Sequence, residues 1–473
     1  MRKTIILLAL TATIVTTARA GGLMTNTNYH IAFDRMMARG ATFDIDAAYS
    51  NPAGLAWGHE GFQMSINFQK PWQNRDIETT IPNYLAVPAL GYKGVDFHQK
   101  YNGKASAPIV PAFFATYRHN RLALSAMIGI VGSGGFVQYD EGIPMFSTLV
   151  MAKLLSATAT LPAAAGGPLT PGKYTIESEM KGKQYIYGGQ LNVTYRLTDH
   201  LAAAVGVRAN YYDGYNRGFI RAQAGTTSLI DLQLDCIQRG WGVAPIVALD
   251  YHQGPLTIAA RYEFRTKIET KNDTRQLYAR IKNTDLATAA AVPYIEGDMA
   301  LQQFGDKVAP YQNDARTRYD MPAMLAVALG YEFSPKLRAT LEYHFFDDKH
   351  AHMAADRQKE LKHGTHEFLA GIEGDINDRW TLSCGVQRTD YGLSDTYQQN
   401  TSFACDSYNI GLGCAVKLSE KLRLNAGYFI SIYDDYTRNH PQAQGGYLGT
   451  GYAGQDTYSR TNNVIGVGLD IKL

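Results

Sequence analysis

The feature that most constrains this chain is a two-residue hydrophobic period that returns again and again along its length. Phe62, Met64, Ile66 and Phe68 share one face and Gln63, Ser65, Asn67 and Gln69 the other, the pattern of a strand with one apolar and one polar side. Leu201, Ala203, Val205, Val207 and Tyr211 oppose Gly206, Arg208 and Asn210; Leu256, Ile258, Tyr262 and Phe264 oppose Thr257, Arg261, Glu263 and Arg265. The pattern repeats in Leu337, Leu341, Tyr343 and Phe345, in Leu422, Leu424, Tyr428, Ile430 and Ile432, and in Ile465, Val467, Leu469, Ile471 and Leu473. A β-sandwich alternates too, so connection lengths decide. Six very short links, at 119–120, 198–200, 253–255, 334–335, 377–379 and 419–420, alternate with longer ones. The longer ones lie near 72–105, 136–181, 213–229, 270–317, 347–363, 391–406 and 434–457. This alternation predicts an all-β fold, a 14-stranded antiparallel transmembrane β-barrel over 61–473, with periplasmic termini and turns and long extracellular loops.

Composition agrees where it bears on that reading. The 31 Tyr, 18 Phe and 45 Gly against 19% charged residues suit aromatic girdles and a lumen lined by small side chains. At the N-terminus, Arg2 and Lys3 precede the apolar run Ile5 to Val15 and the small-x-small site Ala18-Arg19-Ala20, the order of a signal peptide over 1–20. Without that leader the balance is 42 basic to 43 acidic residues, which leaves no electrostatic footprint for nucleic acid. Cys236, Cys384, Cys405 and Cys414 are too few for a disulfide scaffold in a chain of this size. The expected setting is a bacterial outer membrane, reached through the barrel-insertion machinery, with a monomer closed on itself and in contact with lipid.

Residues 21–60 do not alternate. Ile31 to Arg39 reads as a helix, and the segment is rich in Met, Phe, Ile and Ala, so it is expected to fold inward as a hatch rather than trail as a polar tail. In the loop 136–181, Pro144 to Leu155 is apolar almost all round; Phe146, Leu149, Val150 and Leu154 are the candidate capture residues, forming a capture groove or a self-packed lid, with the loop 270–317, which carries Leu286 to Val292, as the expected partner. Arg208, Arg261 and Arg265 are candidate lumen cations for a carboxylate ligand, although most such arginines pair with lumen carboxylates such as Glu263. Gly167 to Lys173 and Gly449 to Gly454 mimic nucleotide-binding loops without the strand and helix those need. His344, Asp347, Asp348, His350 and His352 lack rigid metal-ligand spacing, so no metal and no cofactor is expected.

The approach Gly40-Ala41, Asp46-Ala47, Asn51-Pro52-Ala53-Gly54-Leu55, with Tyr319-Asp320-Met321-Pro322-Ala323 and Leu424-Asn425-Ala426-Gly427-Tyr428, resembles the FadL/TodX family of outer-membrane long-chain fatty acid and hydrocarbon transporters. The likeness runs from about residue 28 to the end of the chain. It implies passive uptake of hydrophobic small molecules through a barrel plugged by its N-terminal hatch, with a kinked third strand that opens a lateral passage. Gly129, Gly132, Gly134 and Gly135, at the end of Arg121 to Val131, are the residues a bend there would use. On this reading Asn51, Pro52 and Ala53 form a gating elbow that meets the glycine kink. Two other functions compete. A general polar-solute porin would want an open charged eyelet. An outer-membrane lipid hydrolase would need Gly-x-Ser-x-Gly or a strand joining Ser to His, neither of which is visible in the sequence, so the chain is not expected to be an enzyme.

Overall fold

The computed structural model describes residues 24, 29–107, 109–304 and 308–473; the expected signal peptide lies outside them. Among the described residues one antiparallel sheet of nineteen segments closes on itself, the last segment pairing with the first from Gln63–Lys472 to Thr80–Gln455. In chain order the segments are β1 (Gly61–Tyr84), β2 (Val95–Ser106), β3 (Val110–His119), β4 (Leu122–Tyr139), β5 (Thr175–Arg196), β6 (Leu201–Ala224) and β7 (Thr227–Gln253). Next come β8 (Leu256–Glu263), β9 (Glu269–Lys282), β10 (Tyr294–Glu296), β11 (Arg316–Arg318), β12 (Met324–Ser334) and β13 (Leu337–Phe346). The last are β14 (Thr365–Asp375), β15 (Trp380–Asp390), β16 (Ser407–Lys417), β17 (Leu422–Tyr433), β18 (Tyr436–His440) and β19 (Gly454–Lys472). Four staves are broken in two, β2 with β3, β8 with β9, β11 with β12 and β17 with β18, and β10 is a short flap on β9. The barrel therefore has the fourteen strands expected.

The inside-outside assignment read from the period holds. Val205, Val207, Ile258, Phe264, Leu341 and Ile465 are exposed on the outer wall, whereas Gln63, Asn67, Arg208, Glu263 and Asp470 are buried in the lumen. Tyr187, Tyr211 and Trp241 are direct cross-strand neighbours, all exposed. They form an aromatic rim at one level, where amphipathic rings meet a membrane interface. Below that rim β6 exposes Val205 and Val207, and β7 exposes Val243, Val247 and Leu249, a span consistent with about 9–11 residues per tilted membrane strand. No helix among the described residues is long and apolar enough to cross a membrane. The strands do the crossing.

Several strands outrun their expected ends. The segment 213–229, read as a loop, is the paired arms of β6 and β7 joined by a turn at Gly225–Thr226. Above the rim the outer face meets water, so its residues are charged: Arg217 lies opposite Asp235 at 2.8 Å and Arg239 opposite Asp213 at 3.4 Å. Apolar-polar alternation stops there while hydrogen bonding continues. Cross-strand ion pairs stabilise the extension modestly. In the loops, α1 (Ile31–Arg35) and α2 (Ala47–Ser50) belong to the N-terminal segment, and α3 (Pro144–Thr158) and α4 (Asp298–Gln302) lie at the long-loop end. The helix expected over 31–39 stops at Arg35, where Met36 turns extended at φ −155°.

Candidate functional site: a plugged lumen with a breached wall

The N-terminal segment lies inside the barrel, and glycines make room for it. Gly371, Gly385 and Gly411 are successive cross-strand neighbours, and so are Gly427 and Gly466. A Cβ at Gly385 would stand 2.7 Å from the Met37 nitrogen, one at Gly411 2.5 Å from the Asp34 carbonyl oxygen, and one at Gly466 2.4 Å from the Ile31 side chain. α1 thus rests on a row of bare backbone. Polar contacts fix it further: His30 meets Asp470 at 2.9 Å, the Ile31 N–H donates to Asn67 at 3.1 Å, and the buried Arg35 guanidinium pairs with Glu373 and donates to Ser383 at 2.7 Å. On the far wall the Ala48 carbonyl accepts from Gln190 and Asn192, and the Pro52 carbonyl accepts from Thr194 at 2.7 Å. The segment crosses the lumen from the β14–β19 wall to the β5–β7 wall.

The Asn-Pro-Ala elbow sits elsewhere than expected. Asn51 is extended at φ −157°, as the residue before a proline prefers, and Pro52 opens a 3-10 turn, Pro52–Ala56. The Asn51 amide donates to the Leu249 carbonyl at 3.3 Å and to Asp250 at 3.1 Å, and the Trp57 indole also donates to Asp250 at 2.8 Å. Ala53 packs with Ala204 and Ala248. All of these contacts are on β5–β7, up to three staves from β4. Asn51 therefore anchors the hatch to β7 and does not meet the glycine kink.

The kink itself is present in β4. β3 pairs with β4 from His119–Leu122 to Phe113–Ile128, and β2 pairs with it again only from Ala105–Val137 onward. Among the described residues, 106–107 and 109–112 have no ladder to 129–136. On its other side β4 keeps β5 through two closely spaced register shifts, between Ile130 and Gly132 and between Ser133 and Gly135. Gly135 takes φ +74°, a conformation glycine adopts without strain, and its N–H donates to the Ser133 hydroxyl at 2.7 Å. The sequence also carried a signal for the break on the partner stave: Pro111 lies in it, and proline has no N–H to give a ladder.

Behind the breach lies a cavity of about 890 Å³, counting its open mouth. Its lining joins the inward Arg75 and Arg460 to Ser106, Ile130 and Tyr185, which lie on the outward register of their strands. The hatch residue at the breach is Tyr29, packed by Ala107, Val110 and Ile130. Burial first, then the nearby Tyr49, Tyr185 and Asp34, push its phenol well above the ordinary value, so it stays a neutral donor. Sequence reasoning passed over Tyr29 because a lone tyrosine carries no pattern.

The structure is similar to solved ones. A Pseudomonas aeruginosa FadL homologue superimposes with a TM-score of 0.61 at 12% identity, over 98% of this chain and 99% of that one. The chain has the FadL-type fold. The Pseudomonas putida toluene transporter TodX matches with a TM-score of 0.54 at 10% identity over 91% and 95% of the two chains. The Ralstonia pickettii toluene transporter TbuX matches at 0.52 and 14% identity over 95% and 99%. No family model and no curated protein sequence matches the chain.

At the long-loop end of this FadL-type barrel, α3 is buried on both sides. Leu149 packs with Ile77, Tyr84 and Phe97, while Val150 and Leu154 pack with Ile220 and Ile230, which explains a helix apolar all round. Of the four candidate capture residues only Phe146 lines the neighbouring groove, about 710 Å³ with its mouth, together with Leu232, Leu277, Leu301, Phe304 and Tyr311. The loop 270–317 is thus the partner, but through Leu301, Phe304 and Tyr311. Leu286 and Val292 are exposed.

The lumen cations are already engaged. Arg208 and Arg261 both pair with Glu263, and their guanidinium carbons lie 5.4 and 5.0 Å from the Tyr49 ring centre. Arg265 donates to the His350 carbonyl and lies 3.9 Å from Asp320. His344 is on β13, held between Glu342 at 2.6 Å and Glu367 at 2.9 Å, and no metal-binding cluster exists among the described residues. A serine and a histidine meet through the N-terminal segment rather than along a strand: Ser65 lies 3.1 Å from His30. The wiring is not that of a nucleophile. Ser65 donates to Asp470 at 2.6 Å, and the His30 Nδ1 accepts from the Ala32 N–H at 3.1 Å, so the imidazole turns its N–H, not its lone pair, toward the hydroxyl and is not the base of a triad.

Proposed function

We propose that this chain is an outer-membrane channel for passive uptake of hydrophobic small molecules. One observation carries the reading: a lumen cavity continuous with the outer wall through the missing ladder between β2–β3 and β4. Unpaired strand backbone near the membrane is tolerated where protein or a cavity covers it. A hydrophobic molecule taken by the Phe146 groove would pass to the cavity beside Tyr29 and leave through the breach, with the hatch closing the direct route to the short-turn end. The long loops would then face the exterior and the termini the periplasm. The FadL homologue and the toluene transporters supply the analogy for cargo. A crossed lumen argues against a polar-solute porin, and the engaged Ser65 against a hydrolase.

The test is to close the breach. Ala107 and Ile130 pack in one cluster, so Ala107→Cys with Ile130→Cys, oxidised in proteoliposomes, should abolish uptake of a neutral hydrocarbon and regain it on reduction. Uptake that ignores the crosslink would show that cargo leaves by another path.

A further inference from the structure

Arg75 and Arg460 are directly opposite one another on β1 and β19. They are 4% and 8% exposed, and both line the cavity behind the breach. Their hydrogen bonds are long ones to a single neutral acceptor: Arg75 to the Gln73 amide oxygen at 3.3 and 3.4 Å, and Arg460 to the same oxygen at 3.5 Å. The Arg460 Nε has no partner, and its guanidinium carbon lies 4.6 Å from the Tyr433 ring centre. Among the described residues no carboxylate lies within ion-pair reach of either arginine. Elsewhere in this lumen the buried arginines are paired, Arg35 with Glu373, Arg39 with Asp46, and Arg208 and Arg261 with Glu263.

Two like charges facing each other out of water and without a counter-ion are costly. A fork of N–H donors on each side is the arrangement that binds a carboxylate by charge-assisted hydrogen bonds. The rest of the cavity is graded. Gln73 and Asn462, opposite one another, lie beside the arginines, whereas Phe429, Val464, Val110 and Ile130 line the way toward the breach, with Gln69 opposite Val110.

Resting on the channel reading, we infer that Arg75 and Arg460 form a binding site for the carboxylate of an amphiphile whose apolar tail points to the breach. The cargo class is then a hydrophobic monocarboxylic acid rather than a neutral hydrocarbon. The arginine pair selects for charge, and the apolar lining selects for the tail.

The experiment uses the full-length protein in lipid nanodiscs, with empty nanodiscs as the control. It measures displacement of the neutral fluorophore N-phenyl-1-naphthylamine by hexadecanoate, 1-hexadecanol and acetate. Hexadecanoate should compete at least about tenfold better than the alcohol, the scale of a charge-assisted pair of hydrogen bonds, and acetate should compete weakly. In Arg75→Gln/Arg460→Gln the acid-to-alcohol ratio should fall to about one, and in Arg75→Lys/Arg460→Lys it should be partly retained, since lysine keeps the charge but not the fork. Because the pair repels, the Gln variant should fold at least as well as the wild type, with unchanged heat-modifiable gel mobility. Equal displacement by acid and alcohol in the wild type, or a preference that survives the Gln variant, overturns the site and leaves the channel reading standing. Acetate competing as well as hexadecanoate overturns the amphiphile assignment. No displacement by either long-chain probe overturns the site and the channel reading together.

Discussion

At the scale of single residues, the lumen uses charge mainly to hold its own parts. Glu263 joins Arg208 and Arg261 beside Tyr49 of the hatch, all three charged groups being nearly fully buried. Glu263→Gln would leave two buried cations without a counter-charge, a change of the kind that costs about 3–5 kcal/mol. The temperature at which the compact gel band gives way to the unfolded one should therefore drop clearly. Asn51→Ala removes one donor from the buried Asp250 and leaves Trp57 as the other, a loss of about 1–3 kcal/mol in the hatch. The barrel should keep its gel mobility while hydrogen exchange in residues 45–57 speeds up. Faster exchange confined to β4 would mean that Asn51 serves the kink after all.

At the scale of elements, the glycine row and α3 make opposite predictions. Gly411→Val places side-chain atoms where the Asp34 carbonyl now sits, and backbone cannot rotate out of the way as a flexible side chain can. The barrel should assemble, the hatch should lift from its wall, and single-channel conductance should rise toward that of a variant lacking residues 24–55. Small conductance in both would refute the plug. Leu149→Asp with Leu154→Asp puts two carboxylates into buried clusters, each costing several kcal/mol. That pair should loosen the loop 140–174, read as rapid proteolysis there, whereas Phe146→Ala should lower uptake without added cleavage.

At the scale of the whole molecule, the described residues form a closed wall whose ladder is missing between β2–β3 and β4, and the N-terminal segment is held to two opposite sides of the lumen. Movement of the hatch as a rigid body would have to break the His30–Asp470 and Arg35–Glu373 contacts on one side and the Ala48 and Pro52 contacts on the other. Opening by a local shift of Tyr29 at the breach needs none of these. Tyr29→Ala should accordingly raise the uptake rate with little change in conductance, and a crosslink joining residue 30 to residue 470 should leave uptake intact. Loss of uptake in the crosslinked protein would show that the whole hatch moves.

The strand count, the order of short and long connections and the direction of nearly every side chain in the lipid belt were legible in the sequence. A wall with oil on one side and a packed polar lumen on the other imposes a two-residue period that nothing else in the chain imitates. The period faded where the outer face meets water and carries charge, so the upper arms of β6 and β7 read as a loop although their inner face packs on α3. The glycines at 129–135 marked the bend because backbone conformation is a local property. Which partner each buried polar group takes is not local. Asn51 with Asp250, Arg208 with Glu263, and Arg75 beside Arg460 join positions about 50 to nearly 400 residues apart. Only closure of the barrel, which brings the first and last strands together, decided that two arginines would stand face to face without an acid between them.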